Sequence, residues 1–140
     1  MKGPVANIFS RGSAKAHMSW LEKVFSAKGC WLVQIRFSIF ENMKLVETCL
    51  TMKDDPEKIL HGAMSLQGGR CFLSDRTEML AGPYNEFESV QLYIGFPSIQ
   101  EAQKAWDIAV ENGAKVKMEF KAQEWGRQYG ILTDPFGVTW

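Results

Sequence analysis

The spacing of apolar residues changes period several times along the chain. Val5 to Phe9 is a short apolar run between Pro4 and Ser10-Arg11-Gly12, which predicts a strand. From Ser13 the period lengthens. Ala14, Met18, Leu21 and Phe25 recur at steps of four, three and four, the signature of one helical face behind a Ser13 cap. Lys28 and Gly29, a basic last turn and a residue suited to the left-handed cap, predict the end of that helix. Trp31, Val33, Ile35 and Phe37 then alternate with Leu32, Gln34, Arg36 and Ser38 in strand periodicity. Asp54-Asp55-Pro56 interrupts the chain. Ile59 to Leu66 and Cys71 to Ser74 predict a hairpin about Gln67-Gly68-Gly69.

The second half repeats this order. Val90, Leu92 and Ile94 alternate with Gln91 and Tyr93 as a strand. Ser98 and Glu101 have capping-box spacing, and Ile99, Ala102, Trp106 and Ala109 form the expected inward face of a helix ending at Asn112-Gly113. Strands are expected at Lys115–Phe120, Tyr129–Asp134 and Val138–Trp140, the last two joined by an Asp134-Pro135-Phe136-Gly137 turn. Ser13 to Gly69 spans 56 positions and Ser98 to Gly137 spans 39, so the halves match if the first holds about 17 extra residues in the polar stretch Glu41–Glu57. The pattern predicts one α+β domain with module one at about residues 4–75 and module two at about 87–140. A ferredoxin-like sandwich, with the same alternation and fewer strands, is the alternative.

The segment from Trp125 to Trp140, WGRQYGILTDPFGVTW, resembles the closing segment of PhnB-like members of the vicinal-oxygen-chelate (glyoxalase/bleomycin resistance/dioxygenase) superfamily. His61-Gly62-Ala63-Met64-Ser65-Leu66 before a glycine turn, with Ser74-Asp75 after it, is similar to the first hairpin of that group. So is a first helix in which Trp20 precedes Val24-Phe25. Two departures are Ser26-Ala27 in place of a Gly-Ala and the absence of a residue after Trp140. The resemblance implies paired βαβββ modules whose mixed sheet curls into an open cup with the helices outside. It also implies a homodimer, with modules exchangeable between chains. Some relatives carry a ubiquinone-methyltransferase label, but no glycine-rich nucleotide fingerprint supports it here.

Composition narrows the setting. A chain of 140 residues suits one domain, and 46% hydrophobic with 23% charged residues is a globular balance. Sixteen basic and sixteen acidic residues cancel, so neither nucleic acid nor an anionic membrane is an expected partner. No apolar run approaches a membrane span, and the N-terminal residues lack the pattern of a secretory signal. Cys30, Cys49 and Cys71 sit beside apolar residues without metal-type spacing, which reads as buried reduced thiols in a cytoplasmic protein. Strand runs without several lysines or a central proline leave edges free to pair, in keeping with a homodimer.

The metal enzymes of the superfamily hold a divalent ion with side chains from four strands, mostly two His and two acids, so the matching positions decide the chemistry. Val5, Ala6 and Asn7 offer the first strand no good ligand, Gln91 stands where a His is implied, and the final acid would follow Trp140. Asp75 alone is a metal candidate. No cofactor is expected, with a divalent metal as the alternative. His61, at the start of the third strand, is a candidate acid–base group or a hydrogen-bonded wall residue. His17 steps off the helical stripe and is expected in solvent. Trp31, His61, Gln91, Trp125, Arg127 and Tyr129 are the candidate ligand-binding residues, aromatic walls with a cation beside Glu124 that suit a flat polar molecule. The expected function is small-molecule binding without a complete metal site. The rivals are a metal-dependent lyase, isomerase or dioxygenase, and a dimeric interaction module.

Overall fold

Strand β1 (Ala6–Ser10) leads through Gly12 into helix α1 (Ala14–Phe25), in a computed structural model that describes residues 5–29, 31–34, 48–52, 54–76, 90–124 and 126–140. Residues 31–34 and 48 are described by backbone alone. Ser13 is extended, and its hydroxyl accepts the Ala16 N–H at 3.2 Å, which satisfies one of the free amides of the first turn. The expected stripe of Ala14, Met18, Leu21 and Phe25 is buried, and Trp20 and Val24 widen it.

The helix ends earlier than expected. Ser26 takes the left-handed conformation (φ 52°) and its N–H donates to the Leu21 carbonyl. Lys28 and Gly29 instead form β2 (Lys28–Gly29), paired with Ser65 and Met64. A Cβ at Gly29 would lie 2.7 Å from Glu22 Oε1, so a larger residue there would displace the end of that glutamate side chain.

Strands β3 (Trp31–Gln34) and β4 (Thr48–Thr51) pair in parallel, and β4 joins β5 (Ile59–Leu66), which forms a hairpin with β6 (Gly69–Asp75). Ile35 and Phe37 lie outside the described residues. β4 falls inside the stretch expected to hold a polar insertion. Gln67 and Gly68 both have positive φ, 44° and 81°, the requirement of the two-residue hairpin turn whose twist matches the strands. β6 also pairs in parallel with β1, so the order is β1-β6-β5-β4-β3.

The second half repeats part of this arrangement. Residues 90–96 are extended and lead to α2 (Ile99–Glu111), whose cap Ser98 accepts the Glu101 N–H at 3.2 Å. Gly113 (φ 91°) ends the helix as expected. β7 (Lys115–Ala122) and β8 (Gln128–Thr133) form an antiparallel pair. Leu132 and Trp140 exchange both backbone hydrogen bonds (3.0 and 2.8 Å), and the Leu92 N–H donates to the Thr139 carbonyl at 2.9 Å. The spatial order 90–96, 138–140, β8, β7 thus repeats β1, β6, β5, β4. Among the described residues the Leu92 N–H makes the one backbone hydrogen bond that ties residues 90–96 to their neighbour, so the expected strand there is extended but scarcely paired.

Leu21, Ile59, Met64 and Leu73 centre the core. On α2 the buried residues are Ala105 and Ala109, while Ile99, expected inside, is 54% exposed. The inward face is turned by one position, because Ala102 and Trp106 look into the cleft described below. The indole N–H of Trp20 donates to the Asn112 carbonyl at 3.0 Å and joins the two helices. Cys71 is a free buried thiol, but Cys49 is disulfide-bonded, which corrects the expectation of reduced cysteines throughout.

Candidate functional site

A cleft of about 700 Å³ opens between residues 90–98, α2 and β8. Residues 138–140 lie between Leu92 and Leu132 and are hydrogen-bonded to both. On the helix side Trp106 stacks on Phe120 with centroids 5.8 Å apart. Trp106 lies so close to β8 that a Cβ on Gly130 would sit 2.7 Å from its ring. Phe25, in edge contact with Trp140 at 5.0 Å and near Phe96 at 6.3 Å, closes the inner end. At the mouth Tyr93, 77% exposed, stacks on Tyr129 with centroids 6.4 Å apart. Gln91 and Arg127 are exposed wall residues, and among the described residues no carboxylate pairs with the Arg127 guanidinium.

A second polar constellation lies in the core. The Nδ1 of His17 is 2.9 Å from Ser10 Oγ, and its Nε2 is 2.9 Å from Asp134 Oδ2. Asp134 also accepts the N–H groups of Phe136 and Val138 on Oδ1 and the Trp140 indole N–H on Oδ2. Phe136 stacks on the imidazole at 4.5 Å. The Nε2–H faces the acceptor-only carboxylate, so Nδ1 accepts from the serine hydroxyl. Serine, histidine and aspartate suggest nucleophilic catalysis, but Ser10 and His17 are fully buried and are not among the residues that line the cleft. The network joins α1 to the turn after β8. His17 is therefore a core residue and not the solvated one expected. The stripe width was the missed signal, since His17 is one turn before Leu21 and adjoins Met18.

Residues 41–140 match the Glyoxalase/Bleomycin resistance protein/Dioxygenase superfamily, most of the chain. The chain belongs to this superfamily. No curated protein matches it. Among solved structures, protein PA1353 from Pseudomonas aeruginosa is similar with TM-score 0.72 and 19% identity, over 100% of this chain and 95% of that one. The PhnB protein from Bacillus cereus follows with TM-score 0.65 and 14% identity, over 99% and 96%. A superfamily member from Sphaerobacter thermophilus has TM-score 0.52 and 14% identity, over 99% and 94%. At these identities the likeness establishes the fold.

The superfamily implies a divalent-metal site, and the described residues at the matching positions do not fit one. Asp75 is 5% exposed, and its two oxygens accept the Ala14 N–H at 2.9 Å and the Ile59 N–H at 2.6 Å. It acts as a brace between the start of α1 and the start of β5. Gln91 offers a neutral amide, and among the described residues no three His, Cys, Asp or Glu side chains gather as a ligand set. Of the candidate ligand-binding residues, the cleft brings together Gln91, Arg127 and Tyr129. His61 lies elsewhere, on β5 with its ring 4.7 Å from Phe72. Trp31 opens β3, where side chains are outside the description, and Trp125 lies outside the described residues. Tyr93, Phe96, Trp106 and Phe120 are wall residues that strand and helix periodicity assigned to the core or left unmarked.

Proposed function

We propose that this superfamily member binds a flat, largely apolar small molecule with one anionic group in the cleft, without a bound metal. The observation that supports it is an aromatic-walled cleft with an arginine at its mouth that no carboxylate neutralises among the described residues. Rings of Trp106 and Tyr129 offer apolar faces, and the guanidinium offers a planar pair of donors to an acid. Engagement of both Asp75 oxygens with backbone amides favours the metal-free form of this reading. Naphthoate is a suitable probe. It should quench tryptophan fluorescence and raise the melting temperature, and Arg127→Gln should weaken both responses without unfolding the protein. EDTA should leave the melting temperature unchanged, because no tight ion contributes to the folded state. One equivalent of tightly held metal, lost on Asp75→Asn, would replace this reading with the metal-dependent enzyme.

The same reading takes the protein as a homodimer, cytoplasmic by its composition although the disulfide at Cys49 removes the argument from reduced cysteines. Among the described residues no helix is long and apolar enough to cross a membrane. β1 ends the described sheet order and carries no lysine or proline to blunt its edge. β7 carries Lys115, Lys117 and Lys121, which blunts that edge and corrects the expectation that no strand is protected by lysines.

A further inference from the structure

We propose that Asn112 is a site of spontaneous deamidation, guarded while α1 and α2 are joined and loosening that joint once it has reacted. Asn112 caps α2 and Gly113 follows it. Asparagine is chemically labile, and most so before glycine, which carries no side chain to hinder its own nitrogen. Gly113 is exposed, at φ 91°, and Asn112 is half-buried, so water reaches the pair. The Gly113 nitrogen gives up its proton to solvent base and attacks Cγ of Asn112. A bond forms between that nitrogen and Cγ, the Cγ–Nδ2 bond breaks, and the amide leaves as ammonia with a proton from solvent. Water then opens the cyclic imide at either carbonyl, leaving aspartate or, with the main chain rerouted through Cγ, isoaspartate.

In the folded protein every polar atom of Asn112 is held. Its N–H donates to the Ile108 and Ala109 carbonyls (3.0 and 3.2 Å), and its carbonyl accepts the Trp20 indole N–H at 3.0 Å. On the side chain, Nδ2 donates to the Ile108 carbonyl at 2.7 Å and Oδ1 accepts from the Lys23 ammonium. The attacking nitrogen is engaged as well, since the Gly113 N–H donates to the Val110 carbonyl at 3.1 Å. At ψ 28° that nitrogen is turned away from the Asn112 side chain, and ring closure needs a wide rotation about that bond. Lys23 acts in two opposed ways. Its charge polarises the Cγ–Oδ1 bond and favours attack, while its hydrogen bond fixes the amide in a pose the nitrogen cannot reach. The second effect prevails, because activation does not help a nucleophile held out of line. Reaction proceeds from the minor population in which the end of α2 has frayed, and its rate follows that population.

Either product lacks the Nδ2 donor, so the Ile108 carbonyl loses that partner. A carboxylate stands instead beside the last carbonyls of α2, where the helix dipole disfavours negative charge. Lys23, exposed on α1, offsets only part of this. Isoaspartate also adds a methylene to the main chain and moves the carbonyl that takes the Trp20 indole. Trp20 and Lys23 both reach this one residue from α1, so a change there bears on both ties. The reaction runs one way and marks old molecules by a looser helix pair.

The test ages the protein in warm, mildly alkaline buffer and follows residue 112 by peptide-mapping mass spectrometry, beside the same chain in urea. The urea sample should convert at Asn112, and the native sample at least about tenfold more slowly. Lys23→Met should speed the native reaction about fivefold and leave the urea reaction unchanged, with melting temperature confirming that this exposed position tolerates the change. The purified deamidated fraction should melt a few degrees below the parent. Asn112→Gln, whose longer side chain closes a ring reluctantly, should keep its melting temperature through the same ageing. No conversion in urea removes the site. Equal rates in urea and buffer remove the guard, and a slower Lys23→Met variant makes the lysine an activator and overturns the guarding role. A deamidated fraction that melts with the parent, or an Asn112→Gln variant that loses stability as the parent does, overturns the loosening.

Discussion

His17 and Asp134, 117 positions apart, meet through a 2.9 Å contact with both side chains fully buried. The carboxylate accepts four hydrogen bonds there, from the His17 ring, the Trp140 indole and two backbone amides. Removing it leaves four donors without partners, two of them amides of the turn. Asp134→Ala should therefore destabilise the fold by about 3 kcal/mol or more in urea unfolding. His17→Ala should also destabilise, and the double variant should cost less than the sum because one network is lost in each. A cost below about 0.5 kcal/mol for Asp134→Ala would show that the network does not form.

Gly130 and Trp106 give a second prediction. A methyl group at Gly130 meets Trp106 Cζ3 at 2.7 Å and the Phe120 Cα at 2.8 Å. Gly130→Ala should cost about 1–3 kcal/mol by overpacking. In a Trp106→Leu background that penalty should fall, measured as a coupling in a double-mutant cycle. Because Trp106 is only partly buried, Trp106→Ala should cost less than the roughly 3–5 kcal/mol of a fully buried ring.

Burial pushes the Cys71 thiol up to about 12. The native thiol should resist iodoacetamide at pH 8 and react once urea unfolds the chain. The unfolded thiol, near the usual 9.0, ionises first as pH rises. Its contribution to stability is therefore complete below pH 9 and is lost between 9 and about 12, with a limiting slope of about 1.4 kcal/mol per pH unit. Cys71→Ala should remove that part of the alkaline decline.

The place of β1 at the end of the described sheet order, with no lysine or proline to blunt it, predicts a dimer by sedimentation at micromolar protein, and a monomer there would reject the proposed association.

Elements with strong local signals are legible in the sequence. The Ser13 and Ser98 caps, the Gln67-Gly68 turn and the α1 stripe each depend on neighbours in sequence, and each appears where expected. The end of α1 falls earlier than expected because a left-handed serine carries no compositional mark, whereas Gly29 belongs to a short strand paired with Met64 that spacing does not show. β4 escaped notice as four residues in a polar stretch, held by partners on both sides. The cleft was half legible. Gln91, Arg127 and Tyr129 stand out by their polar chemistry, but the cleft that gathers them depends on how residues 90–98, α2 and β8 pack. The partners of His17 were invisible for the same reason, since Asp134 comes near only once the two halves pack.

The Asp134 knot also bears on how the chain is made. As the protein leaves the ribosome, residue 17 emerges 117 positions before the carboxylate that its imidazole must meet. At about 5–20 residues per second that is a wait on the order of ten seconds. The strands of the first half can pair during that time, but the inner face of α1 still holds an imidazole without its acceptor. Until residue 134 has left the ribosome, Ser10 is the one side chain of this network that His17 can reach, and the helix gains its last buried partner only at the end of synthesis.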